Sequence, residues 1–502
     1  MKKIINIISV AALAAALTAC NLDLYSPTSF NKGNIEEHGE SEVQYSTRSD
    51  MEGLRNTMYN TWLKGNIIQE ASLEDWLVYS ETRADNAYCG TNTAEIMAIE
   101  ANNQDGSNRN VARDWDYYQT LVANVNNIIC NIDEIRNMDP TLTQDECNQW
   151  KAEAMILRAF GFFRLTQLWG DAPMVLDIPP AITVDNVEEY YHLYYPDRTP
   201  RSEVYSRLVE DLTWAAQYAP DPEKGNKMLL SKAFAKGLMA RIYAEKPIRD
   251  WDKVAQYCSE VEAMGFKLED NYDDLWGYDD TDAFRNSGET IFEVQYTRSN
   301  GNWVFMMYHR NAYNPDDSYS WAKWTTPSRD IISAFEAEGD EVRMNSSIVW
   351  DSCGWSNYYP SDNYAFANKV RTNASSIILM RLGEIYLLHA EALACTGKYA
   401  EAGEYVNRIR SRAGLANVSM PSNQDEAIDL ILKERRLELA FEGFRFFDLA
   451  RHDRIIAVHK SAELAMDSYW QRRTPLDENT ILLPIPTTAL ENNSSLEQNL
   501  GY

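Results

Sequence analysis

Apolar residues recur at helical spacing through most of the chain. In the first long run, successive apolar residues are three or four positions apart in alternation. They are Trp115, Tyr118, Val122, Val125, Ile129 and Ile132. This spacing predicts an amphipathic helix over about 111–136. A second run, from Cys147 to Leu168, repeats the spacing and ends at Gly170. Two such helices joined by a short turn predict an antiparallel pair.

The same unit recurs along the sequence. Residues 203–218 and 231–245 predict a second pair, Trp251 to Met264 opens a third, and 377–412 contains the most regular helical hairpin. The turn of that hairpin, residues 397–402, reads Gly-Lys-Tyr-Ala-Glu-Ala and resembles a tetratricopeptide repeat. The pattern therefore predicts a mainly α fold, a scaffold of tetratricopeptide-like helical pairs with irregular loop excursions and a little β structure.

One segment departs from helical spacing. Phe292, Val294 and Tyr296 alternate with polar residues, which predicts a strand. Residues 302–366 then hold 14 aromatic residues among 65 positions, against 12% for the whole chain. We refer to 302–366 as the aromatic excursion. An irregular segment on a regular frame is where binding residues concentrate, so the excursion is the first candidate for a site.

The N-terminus has the features of an export signal. A basic start, Met1-Lys2-Lys3, precedes an apolar run over 4–19, which is too short to span a bilayer. Its end, Leu17-Thr18-Ala19-Cys20, resembles the lipobox of bacterial lipoproteins. We expect residues 1–19 to be a lipoprotein signal peptide and Cys20 to be the lipidated N-terminus of the mature chain. The alternative is an ordinary secretory signal followed by a chance cysteine.

Charge and motif content exclude several classes of function. Lys and Arg total 47 against 75 Asp and Glu, a net charge of −28, which opposes binding to nucleic acid. No HExxH, GxSxG or Walker motif occurs, and the six remaining cysteines lack zinc or CxxC spacing, so we expect no cofactor and buried free thiols. The acidic pairs near Asp273 and Asp279 lack the EF-hand glycine turn, which favours a solvated acidic face over Ca²⁺ binding.

Residues 426–451 carry charges of alternating sign at helical spacing. The predicted i,i+3 pairs are Arg435 with Glu438, Glu442 with Arg445, Arg445 with Asp448, and Asp448 with Arg451. We interpret these acids as members of a partly buried ion-pair network rather than as catalytic carboxylates.

Five blocks of sequence carry a family resemblance. Residues 437–451, LELAFEGFRFFDLAR, resemble the signature of the RagB/SusD family of Bacteroidetes outer-membrane lipoproteins. Four further blocks agree in order along the chain: Lys151 to Pro173, Thr326 to Arg343, Met380 to Ala392, and Pro484 to Tyr502. The last block departs from the family at Leu500, where a proline is usual.

The resemblance implies both a fold and a role. It implies four tetratricopeptide-like pairs, with an N-terminal region over 20–225 and a C-terminal RagB/SusD region over 226–502 that form one continuous structural unit. It also implies a non-catalytic lipoprotein, lipid-anchored in the outer membrane and facing the cell exterior. Such a protein captures a nutrient and delivers it to a SusC-like TonB-dependent transporter.

Two groups of residues have the chemistry of a sugar site, which needs aromatic platforms beside hydrogen-bonding side chains. The first group consists of Trp76, Arg83, Asp85, Asn86, Tyr88 and Asn102. The second lies in the aromatic excursion and consists of Trp303, Tyr313, Trp321, Trp324 and Trp355, with Trp350 and Tyr358 nearby in sequence. We predict an oligo- or polysaccharide ligand. The alternatives are a peptide, a glycoside hydrolase activity, and an assembly adaptor without a small ligand.

The lipid anchor can be tested with Cys20→Ala. Since the cysteine thiol is the expected attachment point, the variant should move from the detergent phase to the aqueous phase on phase partitioning of cell extracts. Equal partitioning of the variant and the unaltered chain into detergent would contradict the anchor.

Overall fold

The computed structural model describes residues 45–65, 69–90, 93–181, 186–276, 285–307, 323–352, 358–464 and 473–502. Helices dominate this part of the chain. We number the α-helices α1 to α17 in chain order: Arg48–Thr57, Asp75–Leu77, Ala94–Glu100, Arg109–Met138, Gln144–Trp169, Val187–Tyr194, Arg201–Tyr218, Lys232–Ala244, Trp251–Glu262, Arg329–Glu338, Glu341–Ser347, Leu382–Cys395, Tyr399–Arg412, Gln424–Glu438, Arg445–Arg451, Ile455–Leu464 and Thr487–Asn492. Helix α2 lies between two π-helical turns, Gln69–Glu74 and Val78–Thr82.

The β structure in these ranges is confined to three two-stranded antiparallel sheets. We number the strands β1 to β6: Ala87–Gly90, Thr290–Val294, Lys323–Pro327, Ile348–Asp351, Tyr364–Ala367 and Ile377–Arg381. Strand β1 pairs with β3, β2 with β6, and β4 with β5. Two of the three sheets therefore join segments that are distant in sequence.

The long helices pack as antiparallel neighbours in chain order, from α4 with α5 through α7, α8 and α9 to α12 and α13. Local sequence sets their ends. Thr143 forms a capping box with Glu146 at the start of α5, and Gly170 ends that helix with a positive φ of 78°. The predicted mainly helical class is confirmed, and the observed bounds of α4, α5, α7, α8 and α9 follow the predicted ones within a few residues.

Two predicted helical segments are corrected by the structure. The hairpin at 377–412 begins with strand β6, because Ile377–Arg381 pairs with β2, and its first helix starts at Leu382. The charged run at 426–451 is two helices, since α14 ends at Glu438 and α15 begins at Arg445. The turn between them contains two residues of positive φ, Phe441 at 62° and Gly443 at 86°.

The chain divides into two compact units. One comprises residues 45–178 and 195–502. Residue 225, the predicted end of the N-terminal region, lies inside this unit and not at its edge. The other unit contains Pro179–Tyr194, which includes helix α6. None of the residues of α6 is buried. Within this unit the Asn186 amide donates to the Ala181 carbonyl at 3.0 Å. Among the described helices, none is both long enough and apolar enough to cross a membrane.

A buried charge cluster joins five elements of the larger unit around the Glu438 carboxylate. Arg381 donates to it at 2.5 Å, Arg343 at 3.3 Å, and Arg412 donates as well. Glu289 completes the cluster by accepting from Arg381 at 2.7 Å and from Arg412 at 2.8 Å. The three arginines hold the pKa of Glu438 far below its usual range despite its burial.

The ion-pair partners differ from the predicted ones. The Asp448–Arg451 contact exists at 2.8 Å, but Arg435 binds Asp448 instead of Glu438, at 2.8 and 2.9 Å. Arg445 binds Asp85, from the other end of the chain, at 2.7 Å. The break after Glu438 removes the helical register only between Glu442 and Arg445. Arg435 and Glu438 share a helix, as do Arg445 and Asp448, but these charges pair with residues of other elements that pack against them.

A second buried cluster is rich in acids. Asp75 and Asp114 are both fully buried and both contact the guanidinium of Arg113. The Tyr79 hydroxyl also donates to Asp114, at 2.8 Å. Burial, together with the neighbouring Asp75 carboxyl, raises the pKa of Asp114 well above its usual range.

Glu438→Gln should destabilise the fold by about 3–5 kcal/mol, because three buried arginines each lose one of the carboxylates that compensate them. Urea unfolding monitored by circular dichroism measures this change. Glu52→Gln is the matched control, since Glu52 makes an exposed pair with Arg48 and its loss should have a much smaller effect. Similar losses in the two variants would contradict the importance of the buried cluster.

Asp114→Asn should become more stable relative to the unaltered chain as the pH rises from about 4 to 8. The folded state holds the Asp114 proton more tightly than the unfolded chain, whose Asp pKa is about 3.9, so stability is present below that value and declines as pH rises. Asparagine removes this dependence. Urea midpoints at several pH values test it, with the exposed Asp252→Asn as control, and parallel pH curves would contradict it.

Candidate ligand-binding surface

The first predicted group of site residues lies inside the fold. Its six members have at most 6% of their surface exposed: Trp76 3%, Arg83 3%, Asp85 5%, Asn86 1%, Tyr88 0% and Asn102 6%. Their partners belong mainly to the C-terminal part of the chain. Buried at this level, they present little ring face or amide to solvent, and their direct binding role stays a prediction.

Trp76 and Glu81 hold the turn that follows helix α14. The Trp76 indole stacks on Phe447, with ring centroids 4.5 Å apart, and donates to the Gly443 carbonyl at 2.8 Å. The Glu81 carboxylate accepts the backbone N–H groups of Phe441, Gly443 and Phe444 at 3.0–3.3 Å. Glycine is required at 443, because a Cβ atom there would lie 2.4 Å from the Trp76 ring.

The polar members of the first group are occupied in the same way. Asp85 binds the Arg445 guanidinium through both oxygens, at 2.7 and 2.8 Å. Asn86 accepts from Arg436 at 2.8 Å, and Arg83 donates to the carbonyls of Thr480 and Ile481. The Asn102 amide lies within 3.5 Å of three oxygens in residues 474–480. These side chains fasten the N-terminal segment to the C-terminal signature.

Tyr88 belongs to an aromatic cluster that joins two of the small sheets. Its ring stacks on Tyr358 at 5.2 Å, and Tyr364 and Phe366 of β5 complete the buried group. The Tyr364 hydroxyl lies 2.8 Å from the Thr326 hydroxyl on β3, which links the β1–β3 sheet to the β4–β5 hairpin. The described part of the aromatic excursion is therefore more ordered than its sequence predicts.

The hairpin places an exposed ring at the surface. Trp350 on β4 is 41% exposed and meets Tyr359 edge-on, with centroids 5.6 Å apart. The Arg329 guanidinium lies 4.7 Å from the centre of the Tyr359 ring and donates to the Tyr88 hydroxyl at 3.3 Å and to the Tyr358 carbonyl, while the Tyr359 hydroxyl donates to Pro327 at 2.7 Å. An indole face fixed in this way can stack on an apolar ring.

A second exposed ring sits on a clamped turn. Trp303 is 48% exposed, slightly more than Trp350. The preceding Asn302 is buried, and its amide nitrogen donates to the carbonyls of Thr372, Asn373 and Ser375 at 2.9–3.3 Å. The Trp303 backbone N–H donates to Gln69 at 2.6 Å. The clamp fixes the backbone while the indole ring faces solvent.

The elements that carry the two exposed rings are connected through strands β3 and β5. The turn Val304–Met307 packs beside strand β3, and β3 packs beside β5 of the hairpin that carries Trp350. Trp324, on β3, is half-buried against the main core, and its indole N–H finds no acceptor within the described ranges. Tyr313, Trp321 and Trp355, like Cys20, lie outside the described residues. We call Trp303, Trp350, Tyr359 and Arg329 the aromatic surface.

Sequence reasoning missed Arg329 as a candidate. It lies in the Thr326 to Arg343 block. Asp340 and Arg343 of this block form a buried ion pair at 2.5 Å, so these two residues stabilise the fold. The signal that could have identified Arg329 is its position next to Ser328, which caps α10 and leaves the first helical residue at the surface.

No metal or redox site is assembled in the part of the chain that the structure describes. No three His, Cys, Asp or Glu side chains there are arranged as metal ligands. Asp273 binds Arg371 at 2.5 Å instead, while Asp279 lies outside the described residues. Cys147 and Cys258 are buried free thiols, but Cys130, also a free thiol, is exposed, contrary to the prediction.

Comparison with known proteins identifies the family of the chain. Residues 355–502 match the sequence model for the SusD family, and residues 37–244 match a second SusD-like one, described as starch-binding and associating with the outer membrane. The two ranges together span more than half of the chain. The chain belongs to the SusD/RagB family. The predicted resemblance is thereby confirmed.

Relatives within the SusD/RagB family are distant in sequence and close in fold. SusD-like protein P2 of Formosa agariphila is 27% identical over 461 residues, which cover 84% of this chain and 86% of the relative. A SusD superfamily crystal structure from Bacteroides vulgatus aligns with a TM-score of 0.74 at 18% identity, covering 90% of this chain and 99% of that one. Surface glycan-binding protein A from Bacteroides thetaiotaomicron, solved in complex with laminarihexaose, aligns at 0.70 and 18%, with coverage of 90% and 99%.

Proposed function

We propose that the protein is a surface lipoprotein of the outer membrane that binds an oligo- or polysaccharide and delivers it to a SusC-like TonB-dependent transporter. The observation that carries the binding proposal is the pair of solvent-exposed indole rings, Trp303 and Trp350, each held by a well-bonded backbone or neighbouring ring. Exposed tryptophans of this kind are costly to leave in water and are typical of ligand platforms.

The chemistry of the aromatic surface suits a sugar. Pyranose rings present apolar C–H faces, which stack on indole, and hydroxyl edges, which accept from a guanidinium. Trp350 supplies the face, and Arg329 lies beside the same group of rings. Relatives described as starch-binding and as glycan-binding support the same ligand class.

A peptide is the alternative ligand, because aromatic rings and a guanidinium also contact peptide groups. The glycan is favoured because both exposed rings are tryptophans, whose large flat faces match a sugar ring. We propose no catalytic activity. The buried carboxylates of the C-terminal helices are occupied by arginines, so none is available as a protonated acid beside a substrate.

Delivery to a transporter and anchoring in the outer membrane form the second part of the proposal. Their support is the lipobox resemblance at Cys20 and the outer-membrane association in the description of the matched N-terminal family. A lipid-anchored binding protein at the exterior needs a membrane-spanning partner to move its ligand inward. The SusC-like barrel is the partner that the family resemblance implies.

Isothermal titration of the mature protein against a polysaccharide panel and a peptide mixture tests the ligand class. We expect heat from at least one polysaccharide, and no new products in that mixture on chromatography. Trp303→Ala and Trp350→Ala should each weaken binding roughly tenfold, or about 1.4 kcal/mol, because each removes a stacking face.

Tyr218→Ala is the matched control, since Tyr218 is an exposed ring, 40% accessible, on helix α7 outside the aromatic excursion. Its affinity should equal that of the unaltered chain. Heat from peptides alone would overturn the glycan proposal, unchanged affinity in both tryptophan variants would overturn the proposed surface, and product formation would overturn the non-catalytic role.

A further inference from the structure

Arg164 differs from the other buried arginines of the described chain. Those that contact a carboxylate are Arg158, Arg241, Arg343, Arg371, Arg381, Arg410, Arg435, Arg445 and Arg451. Arg83 and Arg473 donate to backbone carbonyls. Arg164, on helix α5, is only 6% exposed, yet within the described residues it has neither an ion pair nor a hydrogen bond.

The contacts of the Arg164 guanidinium are aromatic. It lies 3.4 Å from the centre of the Trp76 ring and 5.2 Å from that of Phe160. A ring face stabilises a cation but does not accept its N–H groups as an oxygen or an anion would. Burial lowers the pKa of Arg164 to about 9, so the side chain is still charged at neutral pH.

Two small cavities adjoin this side chain. One has a volume of about 40 Å³ and the other of about 30 Å³, and Arg164 and Trp76 line both. Each has room for a water-sized species, and the larger has room for more than one. The residues that line them are mostly buried, so an occupant would be largely removed from bulk solvent.

The charged residues that line the larger cavity leave one cation without a carboxylate. Lys369 pairs there with Glu442 at 2.7 Å, and Arg164 is left over. Around the smaller cavity the charges balance, because Glu391, just outside its lining, contacts both Arg435 at 3.0 Å and Arg451 at 2.9 Å. The larger cavity is therefore the one at which a positive charge lacks a compensating carboxylate.

The larger cavity also contains hydrogen-bond donors without acceptors. The Trp276 indole N–H and the Ser376 hydroxyl line it, and both are buried with no partner within the described residues. Water would bring two protons of its own to a wall that already has surplus donors, whereas a halide only accepts. The remaining walls are apolar, including Leu73, Leu77 and Val304, and leave no room for a large oxyanion.

We propose that a small monovalent inorganic anion, chloride in ordinary media, binds against the Arg164 guanidinium in the larger cavity. The anion compensates the buried cation and accepts hydrogen bonds from the walls. It joins the segment that carries Trp76 to helix α5 and to Phe441 of the C-terminal turn, all of which border the cavity. The site is independent of the glycan-binding surface.

Crystals of the mature protein grown in sodium bromide test the proposal directly. We expect an anomalous difference peak at the bromine absorption edge beside the Arg164 guanidinium. Absence of a peak there, or a species that refines as water, would overturn the proposal. In solution, the thermal midpoint should rise with chloride in a saturable way when gluconate keeps the ionic strength constant. Identical midpoints in the two salts would also overturn it.

Variants separate the site from general salt effects. Trp276→Phe keeps the ring and removes one donor, so it should shift the chloride dependence to higher concentrations, while Arg164→Met should abolish it. Arg109→Met is the control for loss of a positive charge, because Arg109 is an exposed arginine paired only with Glu95. It should respond to chloride as the unaltered chain does. If Arg164→Met does not fold, the bromide crystals and Trp276→Phe decide the question.

Discussion

The buried carboxylate of Glu438 is the point on which the larger unit depends. Three arginines reach it from helices α11 and α13 and from the end of strand β6, and Glu289 binds two of them from the residue before strand β2. Burying these charges is costly, and the mutual attraction offsets the cost only while every member is in place. The cluster therefore specifies one arrangement of these five elements. A purely apolar core would tolerate more rearrangement.

The proposed binding surface has its own set of supports. Strand β3, which carries Trp324, is paired with β1, and β1 follows directly after the residues that bind the C-terminal turn. The turn that carries Trp303 is bonded to Gln69 of the same N-terminal segment and to 372–375. Exposed rings on such supports change position little, which lowers the ordering cost of stacking a ligand on them. The first group of predicted site residues fastens the segment on which the proposed surface rests.

The sequence predicted the helices well and the site only in part. Helix α4 carries a clear apolar stripe, and helix α5 is a long run without helix breakers that starts at a capping box, so local sequence is enough to predict both. Strands β1, β4 and β5 have four residues each, too few for a pattern, and their pairing depends on distant segments. Trp76, Asp85 and Asn86 have the composition of a sugar site, but in the fold they are buried and bonded to residues near the C-terminal turn. Only tertiary structure separates the two cases. The sequence also does not show that Arg164 lacks a carboxylate partner. Spacing along the chain indicates which residues are neighbours on one helix, but not which side chains meet across the core.

The link between the two ends of the chain sets an order of events during synthesis. Trp76, Glu81 and Arg83 find their acceptors and donors at Gly443, Phe441 and Thr480, more than 350 residues later. A nascent chain that has not yet reached those residues leaves an indole, a carboxylate and a guanidinium without partners, so its N-terminal segment has no stable native arrangement. The last step in the folding of this segment therefore takes place after the C-terminal residues have been synthesised. The loop that closes in this step is more than 350 residues long, and closure of so long a loop is slow. Truncation of the chain before residue 441 would remove these contacts and leave the Trp76, Glu81 and Arg83 side chains without the partners that they have in the full chain.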